Sequence, residues 1–125
     1  MMKHLLLTFS FIAACGLAAT AQQPPVQQNA NAPAGNSANG RKLFVSFGCY
    51  QCHGYEAQGA NATGPRLAPR PIPYAAFSRY VRRPTNQMPP FTEKVASDMD
   101  LANIYAYLQS RPAPPPVAGI PLLQK

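Results

Sequence analysis

The sequence predicts an all-α fold, and three observations support this prediction. Apolar residues recur at helical spacing in three segments, at residues 40–51, 74–83 and 97–110. No stretch alternates apolar and polar residues over the length of a strand. Helix start and stop signals flank the same three segments. We therefore expect three helices joined by irregular chain.

The first two helices are expected around the segment that carries both cysteines. At residues 40–51 either Ser37 or Asn39 could cap the first helix. Its apolar face consists of Leu43, Phe44 and Phe47. The second helix, at residues 74–83, ends before Pro84, because a residue that precedes proline is disfavoured in the helical region. Its inward residues are predicted to be Phe77, Tyr80 and Val81.

The third helix has the clearest start and stop signals. Ser97 is a favourable N-cap, and Asp98 and Asp100 in the first turn interact favourably with the helix dipole. Pro112 lies just beyond its end. Its apolar stripe is formed by Leu101, Ile104, Tyr105 and Leu108.

The chain divides by composition into four parts. Residues 1–21 have a short basic start, an apolar run and a small-x-small site at Ala19-Thr20-Ala21, and so predict a signal peptide. Residues 22–39 are uncharged and rich in Gln, Asn and Pro, which predicts a flexible leader. Residues 40–111 form the expected domain, and residues 112–125 form a Pro-rich, extended tail.

The signal peptide at residues 1–21 predicts that the protein is periplasmic or otherwise exported. An alternative is cleavage before Cys15, because Ile12-Ala13-Ala14-Cys15 resembles a lipoprotein box. In that case the protein would be lipid-anchored on the periplasmic side. We expect membrane association only through lipidated Cys15 or through docking to a membrane complex.

The small number of potential ligands excludes several kinds of site. After cleavage at Ala21 the chain keeps 125 − 21 = 104 residues, with two cysteines, one histidine and two methionines. This set is too small for a zinc site with four Cys/His ligands. The formal charge is +7, or +6 once Lys3 is removed. The sequence has no Lys/Arg run of the nucleic-acid-binding type, so we expect no nucleic acid partner.

One motif carries specific chemistry. Cys49-Tyr50-Gln51-Cys52-His53 has the C-x-x-C-H pattern of c-type haem attachment. Two thiols three positions apart can each form a thioether to a haem vinyl group, and His53 then becomes the proximal iron ligand. A redox dithiol or a structural disulfide between Cys49 and Cys52 are alternatives, although no βαβ context surrounds the pair.

A haem also resolves a problem of size. About 72 residues rarely form a sufficient core without a disulfide, metal or cofactor. Residues 54–73 contain three glycines and four prolines, and so long an irregular loop in a small domain is expected only if it surrounds something. One covalently bound haem c would supply that missing apolar core.

The second axial ligand is predicted to be Met88. No histidine other than His53 remains in the mature chain, which leaves Met88 and Met99. Met88 lies in the loop at residues 85–91 (the Met88 loop) and is followed by Pro89 and Pro90, which keep the backbone out of a helix. Met99 lies in the third predicted helix, where we expect it to be partly buried by packing.

The sequence resembles the small bacterial single-haem class I cytochromes c over about residues 40–111. The similarity rests on the attachment motif, the Met88 loop, Gly40 with Phe44, and Tyr107. It implies a cytochrome c-like fold of three to four helices around one haem. It further implies that the carbonyl of Pro65 accepts the His53 N–H and that Leu67 packs on the haem. Residues suggested as partners for the haem propionates are Arg70, Tyr74 and Arg79.

The expected function is periplasmic electron transfer by one His/Met-ligated haem, without catalysis. Its partners would be redox proteins with acidic docking surfaces, because the chain is basic. One alternative is a haem subunit of a larger dehydrogenase or oxidase complex, for which the leader and tail could serve as tethers. Another is a haem enzyme or gas sensor with an open iron site, which would require Met88 to leave the metal.

Overall fold

The computed structural model describes residues 32–123 of the 125-residue chain. The described part contains four α-helices, α1 (Ser37–Ser46), α2 (Tyr50–His53), α3 (Tyr74–Arg82) and α4 (Asp98–Ser110). Two short 3₁₀ helices follow, at Val117–Gly119 and Pro121–Leu123. No strand is present among these residues. The predicted all-α fold is confirmed, while the signal peptide and the Cys15 box lie outside the described residues.

Helix α1 begins earlier than predicted, with a different cap. The side chain of Asn36 accepts a hydrogen bond of 2.8 Å from the backbone N–H of Asn39, so the predicted caps, Ser37 and Asn39, are wrong. The N–H of Asn36 in turn donates to Oδ1 of Asn103 in α4, at 2.7 Å. The start of α1 is therefore tied to α4 as well as capped.

The single helix predicted for residues 40–51 is in fact two. Helix α1 ends at Ser46, and Gly48 has a φ of +76°. A residue with a side chain rarely adopts this left-handed conformation, whereas glycine does so without a steric cost. The turn at residues 47–49 therefore separates α1 from α2, which gives the cysteine motif its own short helix.

Helices α1 and α4 cross at very close range. A Cβ atom built on Gly40 would overlap the carbonyl oxygen of Asn103 and lie 2.9 Å from Cβ of Tyr107. One turn further along α1, the ring of Phe44 packs against Tyr107 with a centroid distance of 5.4 Å. Phe44 and Tyr107 are both almost fully buried. This crossing forms one wall of the core.

We predict that Gly40→Ala destabilises the fold by at least ~2 kcal/mol, because the added methyl group meets the α4 backbone, which cannot easily move away. Gly119→Ala is the matched control, since the nearest atom to its Cβ lies 3.9 Å away. The control should change the free energy of unfolding by less than ~0.5 kcal/mol. Urea unfolding of the haem-loaded protein measures both. Equal stability of the two variants would contradict a close crossing at Gly40.

Helix α4 starts as predicted. Ser97 Oγ accepts from the Asp100 N–H at 3.1 Å, and Asp100 Oδ2 accepts from the Ser97 N–H at 2.9 Å, which completes a capping box. The buried face of the helix includes all four predicted residues. Met99 is 58% exposed, so the expectation that packing partly buries it is wrong.

Helix α3 packs on α4 through aromatic rings. Tyr74 and Phe77 contact Tyr105 at centroid distances of 5.2 and 5.4 Å. Phe77 and Val81 are buried as predicted, whereas Tyr80 is 39% exposed. No helix within residues 32–123 is long and apolar enough to cross a membrane.

Candidate functional site

A large cavity lies where the helices and loops converge. Its volume is about 1190 Å³, above the 300–1,000 Å³ that is common for small-ligand sites. Its walls come from the end of α1, α2, the loop before α3, α3 itself, the Met88 loop and α4. Apolar side chains in these walls include Phe44, Phe47, Leu67, Phe77, Ile104 and Leu108. The long loop does therefore surround a space, and that space is suited to a large, mainly apolar molecule.

Short helix α2 brings the attachment motif to this cavity. Cys49 is its N-cap, and Cys52 and His53 form its second half. All three line the cavity, and His53 is only 9% exposed. One helical turn thus presents two thiols and an imidazole to the same space.

The imidazole of His53 is held by a specific hydrogen bond. Its Nδ1 lies 2.9 Å from the carbonyl oxygen of Pro65, so the Nδ1–H donates to this carbonyl. Nδ1 carries the proton in this arrangement, and Nε2 is free to bind a metal. The bond also fixes the orientation of the ring. The structure places Pro65 and Leu67 in the cavity wall beside it.

Two contacts from the end of α4 hold the turn that follows His53. The hydroxyl of Tyr107 donates to the carbonyl of Tyr55 at 2.5 Å. Nη1 of Arg111 lies 2.6 Å from Oε2 of Glu56, and its guanidinium stacks on the Tyr107 ring. Neither contact could be predicted from the sequence, because the partners are more than 50 positions apart and no local pattern links them.

The two cysteines occupy different environments. They form no disulfide with each other, and Cys49 is half-buried whereas Cys52 is exposed. Burial raises the pKa of the Cys49 thiol to about 11, against a smaller opposing effect from a backbone hydrogen bond. Before any attachment, Cys49 is therefore protonated at neutral pH.

The Met88 loop forms another wall of the cavity. Met88 is half-buried, lines the cavity and packs against the core, whereas Met99 is exposed and outside it. Among the described residues, Met88 is thus the methionine that the fold brings to the same space as His53.

Charged groups approach the cavity from the loop before α3. Arg66 and Arg70 line it, but Tyr74 and Arg79 do not. The hydroxyl of Tyr74 instead donates to the carbonyl of Asp98 at 3.2 Å. Neither Arg66 nor Arg70 has an acidic partner within 4.0 Å in the described part of the chain. Of the residues suggested for the propionates, Arg70 is thus the one that lines the cavity, together with Arg66.

The residues present fit a haem. The cavity is wide and apolar, two thiols stand at C-x-x-C spacing on its wall, and the adjacent imidazole has its Nδ1 proton engaged. Cys49 and Cys52 would hold the porphyrin, and His53 would bind its iron. The bound group would supply a one-electron couple, and the protein would supply orientation and burial.

Fold and site together define a small c-type cytochrome domain, which carries covalently bound haem c and transfers electrons through its iron. Residues 35–108 match the family described as cytochrome c oxidase, cbb3-type, subunit III. The match covers more than half of the chain, which therefore belongs to that family. No solved structure matches the chain.

Proposed function

We propose that the protein is an exported one-electron carrier whose haem iron is bound by His53 and Met88. The observation that carries the proposal is that both residues line one cavity, on separate segments of the chain. Met99, the alternative thioether, lies exposed outside it. The proposed role of Met88 as a ligand is accordingly supported by its position in the structure as well as by the sequence pattern.

Ligation by His53 and Met88 suits electron transfer better than substrate chemistry. If His53 and Met88 both held the iron, dioxygen or peroxide would find no open site on it. The soft methionine sulfur also favours ferrous iron and raises the reduction potential. This arrangement argues against the open-site enzyme or sensor, which needs Met88 away from the metal.

Carbon monoxide distinguishes the carrier from the open-site alternative. We expect the purified full chain to titrate reversibly as a one-electron couple. The reduced protein should bind carbon monoxide slowly and incompletely. Fast, tight binding by the reduced wild-type protein would instead support an enzyme or sensor.

Export to the periplasm is part of the proposal. It is supported by the sequence pattern of residues 1–21, and by the covalent attachment of the haem, which prevents its loss by dilution. N-terminal sequencing of the secreted protein tests the site of cleavage. A first residue of Gln22 supports a soluble carrier, whereas a blocked, lipidated Cys15 supports an anchored one.

We further propose that its redox partners dock through acidic surfaces. The chain has a formal charge of +6 once Lys3 is removed with the signal peptide, and Arg66 and Arg70 line the cavity. Opposite charges accelerate docking, and salt screens the attraction. The rate of electron transfer to an acidic partner protein should therefore fall about tenfold or more between low salt and ~1 M salt. A neutral small-molecule reductant is the control, and an equal salt effect on both reactions would refute acidic docking.

A second candidate function is that of a haem subunit in an oxidase complex. The description of the matched family, an oxidase subunit, favours this candidate. Affinity purification of the full chain from native membranes under mild detergent tests it. Co-purification of a stoichiometric oxidase supports the subunit, and recovery of the free monomer supports the carrier.

A further inference from the structure

The side chain of Arg82 is one of the groups that fasten the Met88 loop to α3. This residue is the last of α3, and its side chain is 17% exposed. Its Nη1 donates to the carbonyl of Phe91 at 2.9 Å and to that of Ala96 at 2.6 Å. Its Nη2 lies 2.7 Å from Oδ1 of Asp98. One guanidinium therefore joins the end of α3, the chain after Met88 and the start of α4.

These contacts fix Phe91 from two sides. Its carbonyl is bound by Arg82, and its N–H donates to the carbonyl of Val81 at 3.0 Å. Its ring also packs against Phe47, at a centroid distance of 6.0 Å. Phe91 is consequently held in place at the C-terminal end of the Met88 loop.

The fixed position of Phe91 restrains Met88, because the chain that connects the two residues is stiff. Only Pro89 and Pro90 separate Met88 from Phe91, and each proline ring locks its own φ angle. On the near side, the hydroxyl of Tyr80 lies 3.1 Å from the carbonyl oxygen of Thr85, to which it donates. Met88 thus sits on a short span that is held at both ends by α3.

We propose that Arg82 is a positioning residue that keeps the Met88 sulfur on the haem iron. This inference rests on the proposed His53/Met88 ligation. A planar guanidinium with five donors can serve two carbonyls and a carboxylate at once. Without it, the carbonyls of Phe91 and Ala96 lose their donor, and the loop gains freedom to move Met88 away from the metal.

The test compares Arg82→Gln with two controls in the haem-loaded full chain. Asp98→Asn removes the charged partner of Arg82 but leaves both carbonyl contacts. Arg83→Gln removes the next arginine along the chain, which is exposed and forms no ion pair within the described residues. It makes the same change of charge beside the Met88 loop but leaves the contacts of Arg82 with Phe91 and Ala96 intact.

Two measurements report whether the Met88 sulfur is bound to the iron, and neither measures the stability of the fold. The first is the weak red absorption band of ferric iron bound by methionine sulfur. The second is the apparent affinity of the reduced protein for carbon monoxide, which scales with the population whose iron is open. If Arg82→Gln raises that population from roughly 1% to roughly 10%, the apparent affinity rises about tenfold.

We expect Arg82→Gln to weaken the band and raise the affinity for carbon monoxide, Arg82→Lys to do so less, and both controls to match the wild type. An unchanged band and affinity in Arg82→Gln would overturn the positioning role, as would equal losses in Arg83→Gln. If the wild-type protein itself lacked the band and bound carbon monoxide tightly, the failure would lie in the His53/Met88 proposal.

Discussion

Replacing Met88 with alanine is expected to lower the reduction potential and to open the iron to external ligands. The thioether stabilises ferrous iron more than ferric iron, so its loss favours the oxidised state. Each tenfold change in that relative preference corresponds to ~59 mV for a one-electron couple, and we expect a decrease of at least this size. The reduced Met88→Ala protein should also bind carbon monoxide rapidly.

Met99→Ala provides the matched control for this substitution. Met99 belongs to the same residue type but is exposed and lies outside the cavity. Its replacement should leave the potential, the red ferric band and the affinity for carbon monoxide unchanged. If Met99→Ala produced these effects and Met88→Ala did not, the assignment of the second ligand would be reversed.

Replacing both Cys49 and Cys52 with serine is expected to abolish covalent attachment of the haem. A serine hydroxyl does not form the thioether to a vinyl group, so the porphyrin would be held only by its iron ligand and the apolar cavity walls. Acidified organic solvent should then extract all of the haem from the double variant and none from the wild type. Each single variant should retain one bond, with a mass that still includes the haem.

Gln51→Ser is the control for attachment, because Gln51 lies between the two cysteines in α2 and is exposed. It should retain the full haem content and resist extraction. Each thioether also saturates one vinyl group, so the reduced-haem absorption band should shift in steps from the wild type to the single and double variants. Solvent-resistant haem in the double variant would contradict attachment through these thiols.

Local sequence patterns predicted the attachment site and most of the helices. The C-x-x-C-H motif spans one helical turn, so its geometry depends on neighbouring residues only. The start of α4 was predictable for the same reason, since Ser97 and Asp100 satisfy each other within four positions. The boundary between α1 and α2 was missed because an isolated glycine in a helical pattern does not show by itself whether the helix stops.

Contacts between distant parts of the chain could not be predicted in this way. Arg82 resembles any basic residue at the end of a surface helix, and two of its three acceptors are backbone carbonyls, which leave no mark on the sequence. The bond from Tyr107 to the Tyr55 carbonyl is hidden for the same reason. The contact between His53 and Pro65 was expected only through resemblance to a known family.

The absorption spectrum of the oxidised full-length protein, produced together with a haem-attachment apparatus, tests the central claim most directly. A haem bound by His53 and Met88 predicts a coloured protein whose ferric form shows a weak red band from sulfur-to-iron charge transfer. A colourless protein, or a ferric spectrum without that band and typical of an open iron, would contradict the account.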